Sequence, residues 1–339
     1  GTVMDIRLLT AEDMPAAKAL WKSSFDDTDA YIDWYFENKV LPNQSLGLFD
    51  GGLVSVLHML PYTINVQKRP LQSAFIAGAA TDAARQGEGL MRTLLRESLA
   101  LMRQRGILLT HLYPFQHAFY ERLGWGTYSY VRKHDITAAP FNRRADVLET
   151  NDASLLMTLY QKMMRRYDGY VVRGPREWKW RLDELAVDGG KAAVLIEDDT
   201  ASAYMLYYVK DGTADVIETV YLDEASVGGL LAWLFQNGCS RVKYYLPDDR
   251  NGAPHGMARV VDAKALIEAF GAQALLDHAS ISDPLASWNN LAGGAVRMPV
   301  SELARMAHQG ASLFESYMEG SRDLQGAFPL QTTCIFEAY

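Results

Sequence analysis

Two glycines lie two positions apart at the start of a long amphipathic helical pattern. The stretch TDAARQGEGLMRTLLRESLALMRQRG places Gly87 and Gly89 just before apolar residues that recur with a period near 3.6. The first turn of a helix leaves about four backbone N–H groups without intrahelical partners, and the helix dipole adds partial positive charge there. Glycine lets a bulky anion approach the backbone. The pattern favours a phosphate or pyrophosphate cradle, with an ordinary tight strand-to-helix connection as the alternative.

The residues around the glycines exclude two common phosphate-binding motifs. No Gly-Lys-Ser/Thr follows, so the loop is not a P-loop, and G-x-G-x-x-G does not follow the first strand, so it is not the dinucleotide fingerprint. What remains is Gln86-x-x-Gly89-x-Met91, between a predicted strand that ends at Thr81 and a helix. The strand ILLTHLY and then the segment FYERLGWGTY follow that helix.

The predicted elements that position this loop occur twice along the chain. Helices are predicted over Met14–Ser24, Ala30–Glu37 and Gly89–Gln104, among short strands rich in β-branched and aromatic residues. From about residue 139 the order strand, strand, strand, helix, strand repeats, and GLLAWLF at Gly229 lies over GLMRTLL at Gly89, an offset of 140. We interpret this as an internal duplication of the fold.

The C-terminal part of the chain is predicted to form a third, smaller unit. The segment PDDRNGAPHG is dense in turn formers and is typical of a linker. Helices are predicted over Ala263–Phe270 and Val300–Ala307, and the final LQTTCIFEAY is predicted to be a strand.

Bulk composition limits the class of protein. The 339 residues suggest two or three domains, and the net charge of -8 argues against a nucleic-acid partner, which needs a basic face. An acidic protein is compatible with a cationic substrate, although the charge also serves solubility. The two cysteines lack metal-ligand spacing, no apolar run is long enough for a membrane span, and no signal peptide is expected. We therefore expect a cytoplasmic protein without a membrane partner.

These motifs together resemble the GNAT superfamily of N-acetyltransferases, and more narrowly its enhanced intracellular survival (Eis) family. The loop Gln86-x-x-Gly89-x-Met91 is similar to the family's Q/R-x-x-G-x-G/A, and LYPFQHAFYERLGWG and MARVVDAKALIEAF resemble two further family segments. The resemblance implies an α/β (α+β) fold. Tandem GNAT-like mixed-sheet domains over 1–136 and 137–250 would precede a small C-terminal sterol-carrier-like α+β domain over 251–339.

The resemblance implies acetyl-CoA as co-substrate, no metal, and a homo-oligomer as one possible assembly. The implied cofactor-binding residues are Ala79, Ala80, Thr81, Gln86, Gly87, Glu88, Gly89, Leu90, Met91 and Phe115. Glu88 departs from the family, because a carboxylate in the loop should weaken phosphate binding; Arg85 and Arg92 would compensate. The second domain has Ser226 and Val227 at the offset positions of Gln86 and Gly87, so we expect one acetyl-CoA per chain.

Acetyl transfer to an amine needs a polarised thioester, a proton acceptor and a proton donor for the thiolate. Backbone amides of Ala77–Thr81 would polarise the carbonyl. The resemblance implies Tyr120 as the acid and the terminal carboxylate of Tyr339 as the base. The alternatives are a packing role for Tyr120 and a frayed terminus at Tyr339. His117 and His111 are rival bases.

The stretch SSFDDTDAYIDWYFEN is expected to line the acceptor site. Asp26 and its acidic neighbours would attract an ammonium, with Trp34 and Phe36 as walls, unless these acids simply cap the second helix. The helix REWKWRLDEL is given no chemistry.

The function expected is that of an acetyl-CoA-dependent N-acetyltransferase acting on a primary amine of a small cationic molecule or lysine. A non-catalytic acyl-CoA-binding or regulatory protein is the alternative, favoured by Glu88. A carrier of apolar ligands is a third hypothesis, suggested only by the resemblance of the third domain.

Overall fold

The computed structural model describes residues 3–140, 146–310 and 326–338. Its strands are β1 Asp5–Leu8, β2 Ser45–Phe49, β3 Leu53–Leu60, β4 Thr63–Val66, β5 Arg69–Gln72, β6 Phe75–Thr81, β7 Leu109–Leu112, β8 Gly126–Thr127, β9 Tyr130–Ile136, β10 Asp146–Glu149, β11 Lys191–Glu197, β12 Thr200–Lys210, β13 Thr213–Tyr221, β14 Arg241–Asp248, β15 Ala253–Pro254, β16 Met257–Val260, β17 Ala279–Ser282, β18 Leu291–Ala292 and β19 Val296–Pro299. Its helices are α1 Met14–Ser24, α2 Asp29–Asn38, α3 Leu90–Gln104, α4 His117–Glu121, α5 Ala153–Met164, α6 Pro175–Val187, α7 Val227–Gln236, α8 Ala263–Ala269, α9 Ala274–His278 and α10 Val300–Gln309.

The first sheet has the strand order β1-β2-β3-β6-β7-β16-β8. Its strands pair antiparallel except β6 and β7, which run parallel and are joined by the crossover helix α3. Helix α3 packs on the sheet because its apolar side chains recur on one side. The buried ones include Leu90, Leu94, Leu95, Leu99 and Met102. The helix therefore begins directly beyond the carboxyl end of β6.

The second sheet repeats this plan in the order β10-β11-β12-β13-β14-β9-β15. Strands β13 and β14 are its parallel pair, and α7 connects them as α3 connects β6 and β7. Helices α5 and α7 contribute buried side chains to the core of this sheet, among them Leu156, Leu159, Leu230 and Leu234.

Each sheet includes a strand from outside its predicted domain. Strand β9, within the predicted first domain, pairs with β14 of the second sheet. Strand β16, within the predicted third domain, pairs with β7 and β8 of the first sheet. The boundaries 1–136, 137–250 and 251–339 stay predictions, and the sheets show that the chain crosses between them.

The C-terminal part forms a small mixed sheet, β18-β17-β19, with helices α8 to α10. Helix α10 packs into the core beside β16 through side chains such as Leu303 and Met306. The predicted mixed α/β fold, with two sheet domains and a small C-terminal region, is confirmed. Over the described residues, no helix is both long enough and apolar enough to cross a bilayer.

The predicted C-terminal strand is wrong for residues 330–338. This segment makes a single bridge, between Thr333 and Asp168, and otherwise lies outside the sheets. Its apolar side chains enter two different cores. Ile335 packs in the core that contains helix α10, and Cys334 and Phe336 pack in the core of the second sheet. The segment thus lies at the boundary between two cores, where no strand of the described ranges forms a ladder with it.

Candidate active site

The loop between β6 and α3 borders a cleft of about 520 Å³. Gly87 and Gly89 adopt φ angles of +85° and +77°, and a Cβ added at either would meet nothing within 4 Å. Gly89 is the N-cap of α3, and within the described chain no side chain caps it, so the first-turn amides lack a protein acceptor. The cleft is lined by Ser24, Phe25, Ala79, Ala80, Thr81, Arg85, Gln86, Gly87, Gly89, Leu90, Met91, Arg92, Phe115 and Phe119. These open amides fit an anionic phosphate group.

The carboxylate in the loop, that of Glu88, pairs with Arg85 of the same loop. Arg85 donates to Glu88 through Nε at 2.7 Å and Nη2 at 3.1 Å, and to Asp50 through Nη1 at 2.9 Å. Arg85 therefore compensates Glu88 by pairing with it. Arg92 also lines the cleft, and its Nη2 donates to the carbonyl of Pro284 at 3.1 Å.

Strand β6 separates from β7 at its carboxyl half. The two strands pair only at Phe75–His111 and Ile76–Leu112, so the backbone of β6 beyond Ile76 has no partner in β7. On its other side the register with β3 shifts between Val56 and His58, which is the signature of a bulge. The bulge contains Gly78, whose φ of +62° favours glycine. The strand thus offers backbone amides at a wedge-shaped opening.

The opening holds a small cavity of about 100 Å³ that contains Tyr120. Ala79, Phe25 and Phe115 line both this cavity and the cleft, so the two adjoin. Tyr120 is 3% exposed and packs edge-on against Phe115, Phe119 and Trp125, with ring centroids 5.0 to 5.6 Å away. Burial raises the pKa of its phenol well above the ordinary value, so the side chain stays protonated at neutral pH.

A larger cavity of about 750 Å³ lies between the two sheets. Tyr113 lines both this cavity and the small one. In the second sheet β13 and β14 pair only over Thr213–Asp215, and the residues just beyond that point line the cavity. The duplicated fold therefore supplies two separated strand pairs. One opens toward the cleft and the other toward the inter-sheet cavity.

Carboxylates gather at one corner of the inter-sheet cavity. Asp27, Glu184 and Asp188 all line it. Glu184 accepts from Lys39 at 2.8 Å and from the Tyr31 hydroxyl at 2.6 Å, so its charge is balanced. Asp27 and Asp188 accept only neutral donors among the described residues, which leaves this corner with net negative charge.

The C-terminal segment forms another wall of the inter-sheet cavity. Phe336 and Ala338 line it, and between them Glu337 accepts from Nε of Arg173 at 3.0 Å. The pair is buried. Tyr339, the predicted base, lies outside the described residues.

Comparison with protein families decides the class of enzyme. Residues 5–128 match a family described as the acetyltransferase (GNAT) domain, and residues 169–260 match a second family with the same description. The chain carries two GNAT acetyltransferase domains in tandem. It is therefore an acyltransferase. The cleft and the small cavity belong to the first GNAT domain, and β13 and β14 belong to the second.

Solved structures share this arrangement over nearly the whole chain. A GCN5-related N-acetyltransferase from Anabaena variabilis is 13% identical, with a TM-score of 0.75 and coverage of 99% of this chain and 100% of that one. A probable N-acyltransferase from Enterococcus faecalis is 18% identical, with a TM-score of 0.76 and full coverage of both chains. Eis1 from Mycobacterium abscessus is 16% identical, with a TM-score of 0.68 and coverage of 99% and 100%. At these identities the likeness shows the fold. Comparison with curated proteins gives no match.

The predicted cofactor residues lie together in the first GNAT domain. Nine of the ten line the cleft: Ala79, Ala80, Thr81, Gln86, Gly87, Gly89, Leu90, Met91 and Phe115. Glu88 does not line it, because its carboxylate binds Arg85. The prediction missed Ser24, Phe25 and Phe119, which reach the cleft from other elements and carry no local signal. GNAT acetyltransferases use acetyl-CoA. No group of three or more metal-ligating side chains occurs in the described ranges.

The predicted acceptor residues do not line the inter-sheet cavity. Asp26 is exposed and does not line the inter-sheet cavity, while its neighbour Asp27 does. Trp34 and Phe36 are partly buried in the packing of α2 and do not line that cavity either. Helix α6, to which the sequence analysis assigns no chemistry, contributes Glu184, and Asp188 follows directly after its last residue. Their spacing of four, about one helical turn, was the available signal.

The two histidines named as rival bases line none of these three cavities. His117 contacts the carbonyl of His255 at 3.1 Å. His111 lies in a buried polar chain, in which its Nδ1 is 2.7 Å from Ser73 Oγ and its Nε2 is 2.8 Å from Nε2 of His308. His308 Nδ1 in turn lies 3.4 Å from Asp168. This chain joins β7 to α10, so we assign it to packing of the C-terminal region.

Proposed function

We propose that this acyltransferase is an Eis-like, acetyl-CoA-dependent N-acetyltransferase that acts on a primary amine of a small cationic molecule or of lysine. The supporting observation is the succession of three adjoining cavities. Ala79 lines both the cleft and the small cavity, and Tyr113 lines both the small cavity and the inter-sheet cavity. A donor bound in the cleft and an acceptor bound between the sheets would meet beside Tyr120.

The donor site is proposed to hold the coenzyme by its diphosphate. Acetyl-CoA supplies an acyl thioester. The first-turn amides of α3, with Gly87 and Gly89, would bind the diphosphate, and Arg92 would add positive charge at the rim. Free amides of β6 beyond Ile76 would donate hydrogen bonds to the thioester oxygen. These hydrogen bonds would strengthen as negative charge develops on that oxygen.

Tyr120 is proposed as the acid. Its raised pKa keeps the phenol protonated, and a thiol has an ordinary pKa of about 8.5, so donation to the thiolate is uphill on intrinsic pKa values. Position and desolvation of the thiolate must supply the driving force, and the small cavity of about 100 Å³, lined mostly by apolar residues, favours both.

The acceptor site is proposed to be the inter-sheet cavity. Its carboxylate corner at Asp27 and Asp188 would attract an ammonium group. The resemblance assigns the role of base to the terminal carboxylate of Tyr339, which we keep as a proposal. It is supported by Ala338, which lines this cavity. Appending two residues after Tyr339 should then lower turnover without changing acetyl-CoA affinity.

The experiment combines calorimetry with thiol release. Acetyl-CoA should bind to the parent protein. A panel of a polyamine, an aminoglycoside and a lysine peptide should then reveal thiol release that Tyr120→Phe loses. Tyr170→Phe, a partly buried tyrosine outside the three cavities, is the matched control. Binding without turnover by any amine would favour the non-catalytic alternative. The observation that favoured that alternative, Glu88, is weakened because Arg85 pairs with its carboxylate.

A further inference from the structure

We propose that Asp27 accepts the proton of the acceptor amine and that Trp21 is the residue that positions its carboxylate. The proposal rests on the proposed N-acetyltransferase function and names a second carboxylate beside the terminal one.

Asp27 lies between α1 and α2, at the edge of the inter-sheet cavity. The backbone does not use its carboxylate, because Thr28 caps α2 by accepting from the amide of Tyr31 at 3.1 Å. Within the described ranges its one hydrogen-bond donor is Trp21, whose Nε1 lies 2.9 Å from Oδ2. The carboxylate is therefore held from one side and faces the cavity with its remaining acceptor capacity.

Trp21 connects this carboxylate to the strand proposed to bind the thioester. It is 1% exposed, and its ring lies against Gly78 of the β6 bulge. A Cβ on Gly78 would stand 2.3 Å from Trp21 Cζ3, so the ring fills the place of a side chain. Gly78 lines the small cavity with Tyr120. One indole thus contacts both the Asp27 carboxylate and the β6 bulge, whose strand is proposed to bind the thioester carbonyl.

The surroundings of Asp27 favour proton uptake. Burial raises the pKa of its carboxyl, the charges of Asp188, Asp26 and Glu184 raise it further, and the Trp21 hydrogen bond opposes them. The cations that line the cavity with Asp27 in the described chain are Arg181, Lys133 and Lys243; Arg181 donates to Glu218, and Lys39 nearby is paired with Glu184. A base whose pKa lies nearer neutrality is the more effective one.

The proposed step balances in protons. The bound ammonium first loses one proton to water in the cavity. The neutral amine nitrogen then forms the amide C–N bond as the thioester C–S bond breaks. The nitrogen proton passes to Asp27, and Tyr120 gives its proton to the leaving sulfur. The protein is left with a neutral Asp27 and a Tyr120 phenolate, and proton exchange through water in the cavity restores both.

The test compares three variants by the pH dependence of kcat for the amine that the panel identifies. Asp27→Asn should lower kcat at least about 100-fold, because a general base contributes on that scale. The decrease of kcat at acid pH should also disappear in this variant. Asp27→Glu should keep the acid fall with reduced kcat. Glu97→Gln, a change to a surface carboxylate on α3 that lines none of the three cavities, should stay within about twofold of the parent. If the acid fall survives in Asp27→Asn, or only the KM for the amine rises, Asp27 binds the amine and the proposal is overturned.

A second measurement needs no acceptor. Carbon-13 titration of the aspartate carboxyls should show a resonance that titrates above the ordinary aspartate pKa of about 3.9 and is absent from Asp27→Asn. Its absence from the parent would overturn the proposal even if acetyl transfer occurs. Failure of the parent to bind acetyl-CoA would instead count against the proposed function.

Discussion

Arg173 holds Glu337 and Glu218 at the same time, and all three side chains are at most 5% exposed. Arg181 and the hydroxyl of Tyr204 complete the binding of Glu218. Two arginines therefore balance two carboxylates, of which one belongs to the second GNAT domain and one to the C-terminal segment. The wall that this segment contributes to the inter-sheet cavity depends on that balance.

Removal of the tail carboxylate should destabilise the protein strongly. Glu337→Gln leaves the charge of Arg173 only partly compensated in a buried site, and breaking such a pair costs about 3 to 5 kcal/mol. Urea denaturation measures the loss. Glu149→Gln, which breaks an exposed pair with Lys191, should cost less than about 1 kcal/mol. Equal effects of the two changes would contradict the role given to the tail.

The cradle glycines can be tested with a control at the other end of the same helix. Gly89 and Gly106 have φ angles of +77° and +76°, and a Cβ on either meets nothing within 4 Å. Each change to alanine should cost about 1 to 2 kcal/mol of stability for the left-handed conformation. Only Gly89→Ala should weaken acetyl-CoA binding, by about tenfold, because only there would a methyl group stand in the way of a diphosphate. Equal acetyl-CoA affinities of Gly89→Ala and Gly106→Ala in calorimetry would contradict the proposed phosphate cradle.

The elements that the sequence predicts well are those whose signal is local. The prediction of α1 over Met14–Ser24 matches the structure, and α3 begins one residue after the predicted Gly89. Both have an apolar period and a clear boundary residue. Most of the loop that lines the cleft was predicted for the same reason.

The features that the sequence does not show depend on partners far away in the chain. Nothing local shows that β16 returns to the first sheet, since any apolar strand could pair at several edges. Glu184 looked like part of a packed helix because its cation, Lys39, is 145 residues away. Asp26 and Asp27 are adjacent and chemically identical, and only the hydrogen bond from Trp21 and the cavity distinguish them.

Glu88 should modulate cofactor affinity through charge alone. Glu88→Gln frees Arg85 from its partner in the loop and raises the local charge by one, so acetyl-CoA should bind about two- to fivefold more tightly at low salt. The gain should shrink as salt screens these exposed groups. Glu97→Gln, which breaks the pair with Arg96 on α3, should leave affinity unchanged. Weaker binding by Glu88→Gln would mean that the Arg85–Glu88 pair shapes the loop.

Stability should fall at acid pH because of buried histidines. Burial, with the neighbouring His308, lowers the pKa of His111 well below its ordinary value of about 6.5. Below that pH the unfolded chain binds a proton that the folded chain does not, so this contribution is present above pH 6.5 and is lost as pH falls. Removal of the ring in His111→Asn should reduce the slope of unfolding free energy by up to about 1.4 kcal/mol per pH unit between pH 6 and 5. An unchanged slope in denaturant titrations would show that His111 is protonated when folded.

One acetyl-CoA should bind per chain, although the fold occurs twice. In the second GNAT domain a short turn at Glu224–Ser226 runs directly into α7, and Asp223 caps that turn by accepting from the amide of Ala225 at 3.1 Å. The turn leaves no room for the residues that carry Gly87 and Gly89 in the first domain, and the acidic side chains of Asp223 and Glu224 oppose a phosphate near this helix start. Calorimetry should give a stoichiometry near one that Gly89→Ala weakens as a single class of site. Two equivalents, or a residual tight site in Gly89→Ala, would show that the second domain binds the coenzyme without a glycine cradle.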